Sequence, residues 1–304
     1  MTDMADRRLR TKPPIGPDTK LCISLSGRPG RSGTLLHNRL YETTGLDFVY
    51  KSFGTQDLAG AVAGIRALGI RGCGVSMPFK EAVIPMLDAL EGSARAIDSV
   101  NTIVNDDGVL TGYNTDFIAV RDLLAADGID PATPFVLRGS GGMAKAVAAA
   151  LHDLGFANGI ILARNRGTGP ALAQSYGYAW SEDLPDTGAP LLINVTPVGM
   201  AGGNAGELAF PKAWIAASDL AFDVVAQPAE TPFILTARDA GKRVISGASV
   251  IVLQAVEQFA LYTSIRPAAH EIVEAAAFAH GDAVATQVRN VLAMGANRPA
   301  GKEL

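Results

Sequence analysis

Residues 135–147 read FVLRGSGGMAKAV, and no other stretch constrains the fold as much. An apolar, strand-like run (Phe135, Val136, Leu137) meets a glycine cluster at Gly139, Gly141 and Gly142. Met143, Ala144 and Lys145 then open an alanine-rich helix. A strand, a tight turn and a helix N-terminus bring backbone N–H groups and the positive end of the helix dipole to one point, where a pyrophosphate is well held. Gly139 permits the turn, Gly141 permits close approach to the backbone, and Ser140 lies between them. The expected ligand is a dinucleotide. A βα loop that binds nothing has the same composition, so this loop needs support from elsewhere in the chain.

The next strand supplies it. Residues 159–163 are short and apolar and lead into Arg164-Asn165-Arg166-Gly167-Thr168. In a NAD site an acidic side chain stands about 20 residues past the glycines and bonds the ribose 2′-hydroxyl. Here that place holds two guanidinium groups, an amide, a hydroxyl and no carboxylate. Paired guanidinium hydrogen bonds suit a 2′-phosphate, which favours NADP over NAD. A solvated basic turn reads the same way.

Strands and helices alternate along most of the chain. The pattern predicts strands over 21–25, 48–53 and 72–75, and helices over 35–44 (capped by Thr34, ended by Gly45), 56–68 (capped by Thr55) and 80–89. A hairpin over 100–104 and 109–112 turns at Asp106-Asp107-Gly108, and a helix over 117–126 leads on. Further strands are expected near 135–137, 160–163, 191–195, 220–223 and 244–245, and helices over 250–263, 268–279 and 283–293. Continuous apolar strands separated by helices indicate an α/β fold with a parallel sheet covered on both faces. A length of 304 residues suggests two domains, divided as 1–115, completed by 248–304, and 116–247. Residues before about Asp18 and after about Asn297 read as loose ends.

Composition removes several function classes. A net charge of −4 without a long basic run argues against nucleic acid as partner. No apolar run is long enough to span a bilayer. Arg7-Arg8-Leu9-Arg10 is not followed by an apolar run, so no secretory signal is visible and the cytoplasm is the expected location. The two cysteines, Cys22 and Cys73, sit in strand-like runs and read as buried thiols of a reducing compartment. The four histidines form no metal-ligand spacing, so no metal is expected.

Short motifs then recur in fixed order: Val75-Ser76-Met77-Pro78-Phe79-Lys80, Ser99-Val100-Asn101-Thr102, Tyr113-Asn114-Thr115-Asp116, Gly139-Ser140-Gly141-Gly142, Asn194-Val195-Thr196-Pro197-Val198-Gly199-Met200, and Gln254 in a late helix. From about Leu21 to Ala279 the chain resembles the shikimate dehydrogenase family, and above all its shikimate dehydrogenase-like branch, on SLSGRP (24–29) and ISGASVIVLQAVEQF (245–259). The resemblance implies an N-terminal α/β substrate domain and a Rossmann-like, doubly wound NADP-binding domain, with C-terminal helices returning to the first. It implies NADP-dependent interconversion of shikimate and 3-dehydroshikimate, or of a close hydroxy-carboxylate analogue, in aromatic amino acid biosynthesis on the chorismate pathway. The expected assembly is a monomer or homodimer.

In such a reaction the cofactor carries hydride, and the protein supplies orientation and a proton. An ammonium stabilises the charge that develops on a ketone oxygen accepting hydride. The resemblance makes Lys80 that acid/base and Asp116 the carboxylate that orients it. Without the resemblance, Lys80 reads as a solvated lysine and Asp116 as a first-turn carboxylate. Ser76, Asn101 and Gln254 match substrate-binding positions, while Thr196, Val198 and Gly247 match positions on the cofactor side. Asn101 and Asn114 would each bond substrate hydroxyls or, equally, tie a turn through its own backbone.

Three departures bear on the substrate more than on the reaction class. The family usually carries Ser-x-Ser-Pro ahead of His-Asn. Here, aligned on His37-Asn38, those serines fall on Arg31 and Gly33, and the loop is two residues shorter. Ser24, Ser26, Ser32 or Thr34 would take over the substrate carboxylate, or Arg31 would pair with it directly. Ala226 stands where the family commonly has tyrosine, and Gly167 separates Arg166 from Thr168. Two further readings follow: a quinate-type or other cyclohexane-carboxylate dehydrogenase using NAD or NADP, and a non-catalytic NADP(H)-binding sensor.

Overall fold

The computed structural model describes residues 11–295. The Arg7–Arg10 run and the residues after about Asn297 lie outside that range. The chain divides into two α/β units. The first comprises the chain up to Leu90, Val100–Tyr113 and Ala255–Ala285; the second comprises Glu91–Ser99, Asn114–Gln254 and the chain from Thr286.

Along the chain, β1 (Lys20–Ser26) leads to α1 (Ser32–Thr44), β2 (Phe48–Gly54), α2 (Leu58–Ala67), β3 (Gly72–Val75) and β4 (Ala89–Leu90). Next come α3 (Gly92–Ile97) and the hairpin of β5 (Thr102–Asp106) and β6 (Val109–Tyr113). The hairpin turns through Asp107 (φ 51°) and Gly108 (φ 91°), the left-handed pair that such a two-residue turn requires. Helix α4 (Thr115–Asp127) precedes β7 (Phe135–Arg138), α5 (Gly142–Asp153), β8 (Gly159–Leu162), α6 (Thr168–Tyr176), β9 (Ala179–Ser181) and β10 (Leu191–Asn194). Then follow α7 (Lys212–Ala217), β11 (Leu220–Asp223), α8 (Pro232–Asp239), β12 (Arg243–Ser246), α9 (Gly247–Thr263), α10 (Ala269–His280) and α11 (Asp282–Gly295).

The first sheet has the order β2-β1-β3-β5-β6-β4. Strands β1, β2 and β3 run parallel, and the β5–β6 hairpin joins β3 antiparallel. Cys22 is in register with Tyr50 on one side and Gly72 on the other, and two residues along Ser24 pairs with Ser52 and Gly74. Helices α1 and α9 press aromatic rings onto this face. A Cβ on Gly72 would lie 2.2 Å from the Tyr262 ring, and Tyr41 stacks on Phe259 at 5.2 Å. Helix α10 packs on α1, where Glu274 pairs with Arg39. Cys22 and Cys73 are free and buried, and burial pushes the Cys22 thiol up to about 12.

The second sheet has the order β12-β11-β10-β7-β8-β9, all parallel. This is the doubly wound order, and the winding reverses between β7 and β10, the point at whose carboxyl side such sheets bind ligands. Val136, Leu162, Leu192 and Ala221 form one face of its core with Phe210, Ile215 and Phe233.

Local expectations fail in three places. Residues 80–89 do not form a helix, because Pro85 lacks an N–H and clashes with the preceding turn. They run as turns with one 3₁₀ turn, Ile84–Met86, into β4. Helix α1 starts at Ser32, with Arg31 and not Thr34 at its N-cap. Helix α2 is capped by Asp57, whose Oδ1 accepts the Gly60 N–H at 2.8 Å, while Thr55 closes the turn before it. Strands β4 and β9 and helix α3 are too short to carry a periodic signal. No helix among the described residues is long and apolar enough to cross a membrane.

Candidate active site

In the first unit, the carboxyl ends of β1 and β3 gather the predicted substrate side. The Ser76 N–H bonds Leu25 O at 2.9 Å, and the Gly27 N–H bonds Met77 O at 2.9 Å, so the loops leaving the two strands lie side by side. Lys80 is fixed through its backbone, its carbonyl accepting the Val100 N–H at 2.8 Å, next to Asn101. The Asn101 carbonyl accepts the Val75 N–H at 2.7 Å, tying the start of the hairpin to β3. Ser76 is exposed, Lys80 partly exposed, and Ser26 and Asn101 buried.

Behind this edge lies a polar layer, half-buried at Ser24, Thr34 and Asn38 and buried at His37 and Gln258. Ser24 stands beside the Tyr50 hydroxyl, whose pKa burial raises. Thr34 lies inside α1, 3.0 Å from Ser52 Oγ, and its hydroxyl accepts the Ser52 N–H. Asn38 clamps β2, donating to Tyr50 O and accepting the Tyr50 N–H. His37 stacks on Tyr50 at 4.2 Å. Burial pushes its imidazole down to about 4, with the neighbouring Gln258 side chain working the other way. Gln258 Nε2 donates to Thr102 Oγ1 at 2.9 Å and to Asn101 O at 3.2 Å, and Thr102 Oγ1 donates to Asn101 Oδ1 at 2.8 Å.

In the second unit, Asn114 proves to be the N-cap of α4. Its Oδ1 accepts the N–H groups of Asp116 and Phe117, and its Nδ2 donates to Ser99 O. Of the two roles open to Asn114, the structure assigns the turn-tying one. Asp116 is buried in the first turn, and the preceding Thr115 hydroxyl donates to Gln254 Oε1 at 3.3 Å. Gln254 Nε2 in turn donates to Ile251 O.

The glycine loop stands at the carboxyl end of β7. Gly139 has φ 126°, and a Cβ there would lie 2.7 Å from Val195 Cγ2. A Cβ on Gly141 would meet nothing within 4 Å. Helix α5 has no side-chain cap, so its first N–H groups face this open space with the helix dipole behind them. Ala144 is buried and Met143 half-buried. Ser140 Oγ lies 2.7 Å from Thr168 Oγ1, tying the glycine loop to the loop after β8. In that second loop Asn165 Oδ1 accepts the Gly167 and Thr168 N–H groups. Arg164 is exposed, whereas Arg166 is engaged by Glu182 at 2.8 Å. Arg138, half-buried nearby, donates to Ala209 O and is disfavoured as a cation by burial and by Arg164.

After β10, Asn194 Oδ1 accepts both the Thr196 N–H and hydroxyl, and its Nδ2 donates to Asp223 Oδ1 at 3.0 Å. Thr196 Oγ1 accepts the Val198 N–H. Asp223 also accepts from Thr231, and burial pushes its carboxyl up to about 6. Gly247 opens α9 against the Val224 carbonyl, where a Cβ would lie 2.3 Å from the oxygen. Among the described residues no group of three or more His, Cys, Asp or Glu could hold a metal ion.

Comparison with known proteins agrees with this fold. Residues 31–103 match the shikimate dehydrogenase substrate binding domain. The chain is 56% identical over 266 residues to a shikimate dehydrogenase-like protein of Haemophilus influenzae, covering 87% of this chain and 98% of that one. The chain belongs to the shikimate dehydrogenase family. It is also 37% identical over 258 residues to shikimate dehydrogenase (NADP(+)) of Moorella thermoacetica, covering 79% of this chain and 87% of that one. The solved shikimate 5-dehydrogenase of Thermus thermophilus, in complex with NADP(H) and shikimate, matches with TM-score 0.75 and 29% identity over 85% of this chain and 99% of that one.

Within the family frame, the substituted serine loop takes a definite form. Residues 27–31 are exposed, Pro29 lies against Gly54, and neither Arg28 nor Arg31 forms an ion pair among the described residues. Sequence reasoning passed over Thr102 and Gln258. Thr102 ends the Ser99-Val100-Asn101-Thr102 motif and Gln258 lies one turn after Gln254, but only the fold shows them bonded to one another.

Proposed function

We propose that the chain is an NADP(H)-dependent dehydrogenase that interconverts shikimate and 3-dehydroshikimate, or a close cyclohexane-carboxylate analogue. The observation that carries this reading is the seating of Lys80 beside Asn101 at the carboxyl edge of the first sheet, in a chain of this family. Lys80 is the group that donates its proton to the substrate oxygen as that oxygen gains charge, and recovers it in the reverse direction. Asp116 orients the ammonium. Asn101, Gln254 and Ser76 hold substrate hydroxyls, and Ser24, Ser26 and Thr34 supply hydroxyls on the carboxylate side.

The second unit fits NADP(H). The open space at Gly141 and the uncapped start of α5 suit the pyrophosphate; Arg164, Asn165, Thr168 and Ser140 suit the 2′-phosphate. Gly139, Gly142, Met143 and Ala144 shape the loop, Arg166 contributes from its pair with Glu182, and Thr196, Val198 and Gly247 line the nicotinamide side. When bound, the cofactor supplies or accepts the hydride.

The test is initial-rate oxidation of shikimate and quinate with NADP⁺ and NAD⁺, followed by reduced-nicotinamide absorbance. Shikimate with NADP⁺ should give the highest kcat/KM. Lys80→Ala should lower kcat by about 10²- to 10⁴-fold while NADP⁺ still binds. Wild-type turnover in that variant would remove Lys80 from the chemistry. The exposed Arg28 and Arg31 favour a second reading, in which an analogue other than shikimate is preferred. Higher kcat/KM on quinate, or no turnover of either acid alongside firm NADP⁺ binding, would support it.

A further inference from the structure

An asparagine side chain presents either an acceptor or a donor, and the two ends have nearly the same shape. A pocket that uses Asn101 must therefore specify which end faces it. We propose that Gln258 and Thr102 are positioning residues, a buried relay that fixes the Asn101 carboxamide with its NH₂ toward the substrate.

The polarity follows from one group that has no choice. The Asn101 backbone carbonyl can only accept, and Gln258 lies 3.2 Å from it, so Gln258 must turn its NH₂ that way. The same Nε2 lies 2.9 Å from Thr102 Oγ1, which therefore accepts. The Thr102 hydroxyl in turn donates to Asn101 Oδ1 at 2.8 Å. With Oδ1 committed to Thr102, Nδ2 is the end that turns away from the relay and donates to an oxygen of the substrate. Reversing Asn101 would set its NH₂ against a hydroxyl already receiving an N–H, and would leave the hydroxyl hydrogen without that acceptor. Thr102 is fully buried, and Asn101 and Gln258 are 2% and 4% exposed. Water does not compensate for a lost partner at such depth, so the low dielectric holds the polarity.

Thr102 comes from the first residue of β5 and Gln258 from α9, so the relay joins two elements that are distant in the chain. The proposal rests on the reading that Asn101 contacts substrate. It narrows that contact to a donor, which takes a hydroxyl, carbonyl or carboxylate oxygen.

The test uses the full chain and three variants. Thr102→Val keeps the shape and removes the hydroxyl, Thr102→Ser restores it, and Gln258→Met unlinks the relay from its other end should the first variant not fold. The side-chain ¹⁵N–¹H₂ resonances of Asn101 should shift and broaden in Thr102→Val and return in Thr102→Ser. In the same variants shikimate KM should rise about tenfold and then recover, with kcat within about threefold and NADP⁺ binding unchanged. Unmoved resonances in Thr102→Val and Gln258→Met overturn the relay. Moved resonances with wild-type KM overturn its role in substrate positioning, and Asn101→Ala then separates the two levels. A raised KM in that variant keeps Asn101 in the pocket and discards only the relay, whereas an unchanged KM removes Asn101 from the pocket.

Discussion

His37 shows how much a single side chain takes from its surroundings. It is fully buried, stacked on Tyr50, and held as neutral imidazole with its pKa near 4, mainly by desolvation. A histidine in the unfolded chain titrates near 6.5. The folded-state value is depressed, so the contribution to stability is present above about pH 6.5 and is lost as pH falls toward 4. Between pH 7.5 and pH 5 that loss amounts to about 2 kcal/mol. His37→Phe keeps a stacking ring and removes the titration, so its stability relative to wild type should rise by about that amount over the same range, read by urea denaturation at the two pH values. Asp223, raised to about 6, works in the opposite sense, its contribution being present in acid and lost as pH rises, so the difference between variant and wild type is the quantity to read. A pH-independent difference would mean that the ring is not held neutral. None of this is legible in a sequence that shows His37 only as half of a His-Asn pair. Lys80, Asn101 and Asp116 stood out because they sit in ordered motifs, whereas Thr102 and Gln258 gain meaning only from a contact 156 residues apart.

At the scale of elements, the glycine loop was the most legible part of the chain because turn, dipole and backbone approach are all local properties. Its glycines are nonetheless unequal. Gly139 is required by the fold, since φ 126° and the nearby Val195 leave no room for a side chain. Gly141 has extended backbone, and a methyl group there would enter empty space. Gly139→Ala should cost about 1–3 kcal/mol of stability and weaken NADP⁺ binding as well. Gly141→Ala should leave the melting temperature within about 2 °C and still raise the NADP⁺ Kd at least about tenfold, because the added methyl stands where the pyrophosphate approaches. Melting curves and fluorescence titration of both variants check the contrast; unaltered NADP⁺ binding in Gly141→Ala would move the pyrophosphate elsewhere. The same local logic misplaced the helix over 80–89, where one proline outweighs several good helix formers, and the start of α1, where Thr34 pairs with Ser52 across to β2 and does not cap.

At the scale of the whole molecule, strand order is the feature that periodicity alone does not contain. The alternation of strands and helices indicated parallel sheets, but the antiparallel β5–β6 hairpin within the first sheet and the reversal of winding between β7 and β10 are set by pairing between distant segments. The late helices are likewise tied far back along the chain: α10 packs on α1, and Gln287 of α11 accepts from the Ser249 hydroxyl and donates to Val244 O. Charge and packing both act on these late helices, and their sizes differ. The Arg39–Glu274 pair is half-exposed, so Glu274→Ala should cost less than about 1 kcal/mol. Ile272, Val284 and Val288 are buried almost completely, and each contributes about 1.5–3 kcal/mol of apolar burial. Truncation after Ser264 removes all three, a loss comparable to the total stability of about 5–15 kcal/mol expected of a folded domain. The truncated chain should therefore lose its cooperative melting transition, while Glu274→Ala melts within a few degrees of wild type, both followed by circular dichroism. A truncated chain that still melted cooperatively near the wild-type temperature would mean that the core closes without α10 and α11.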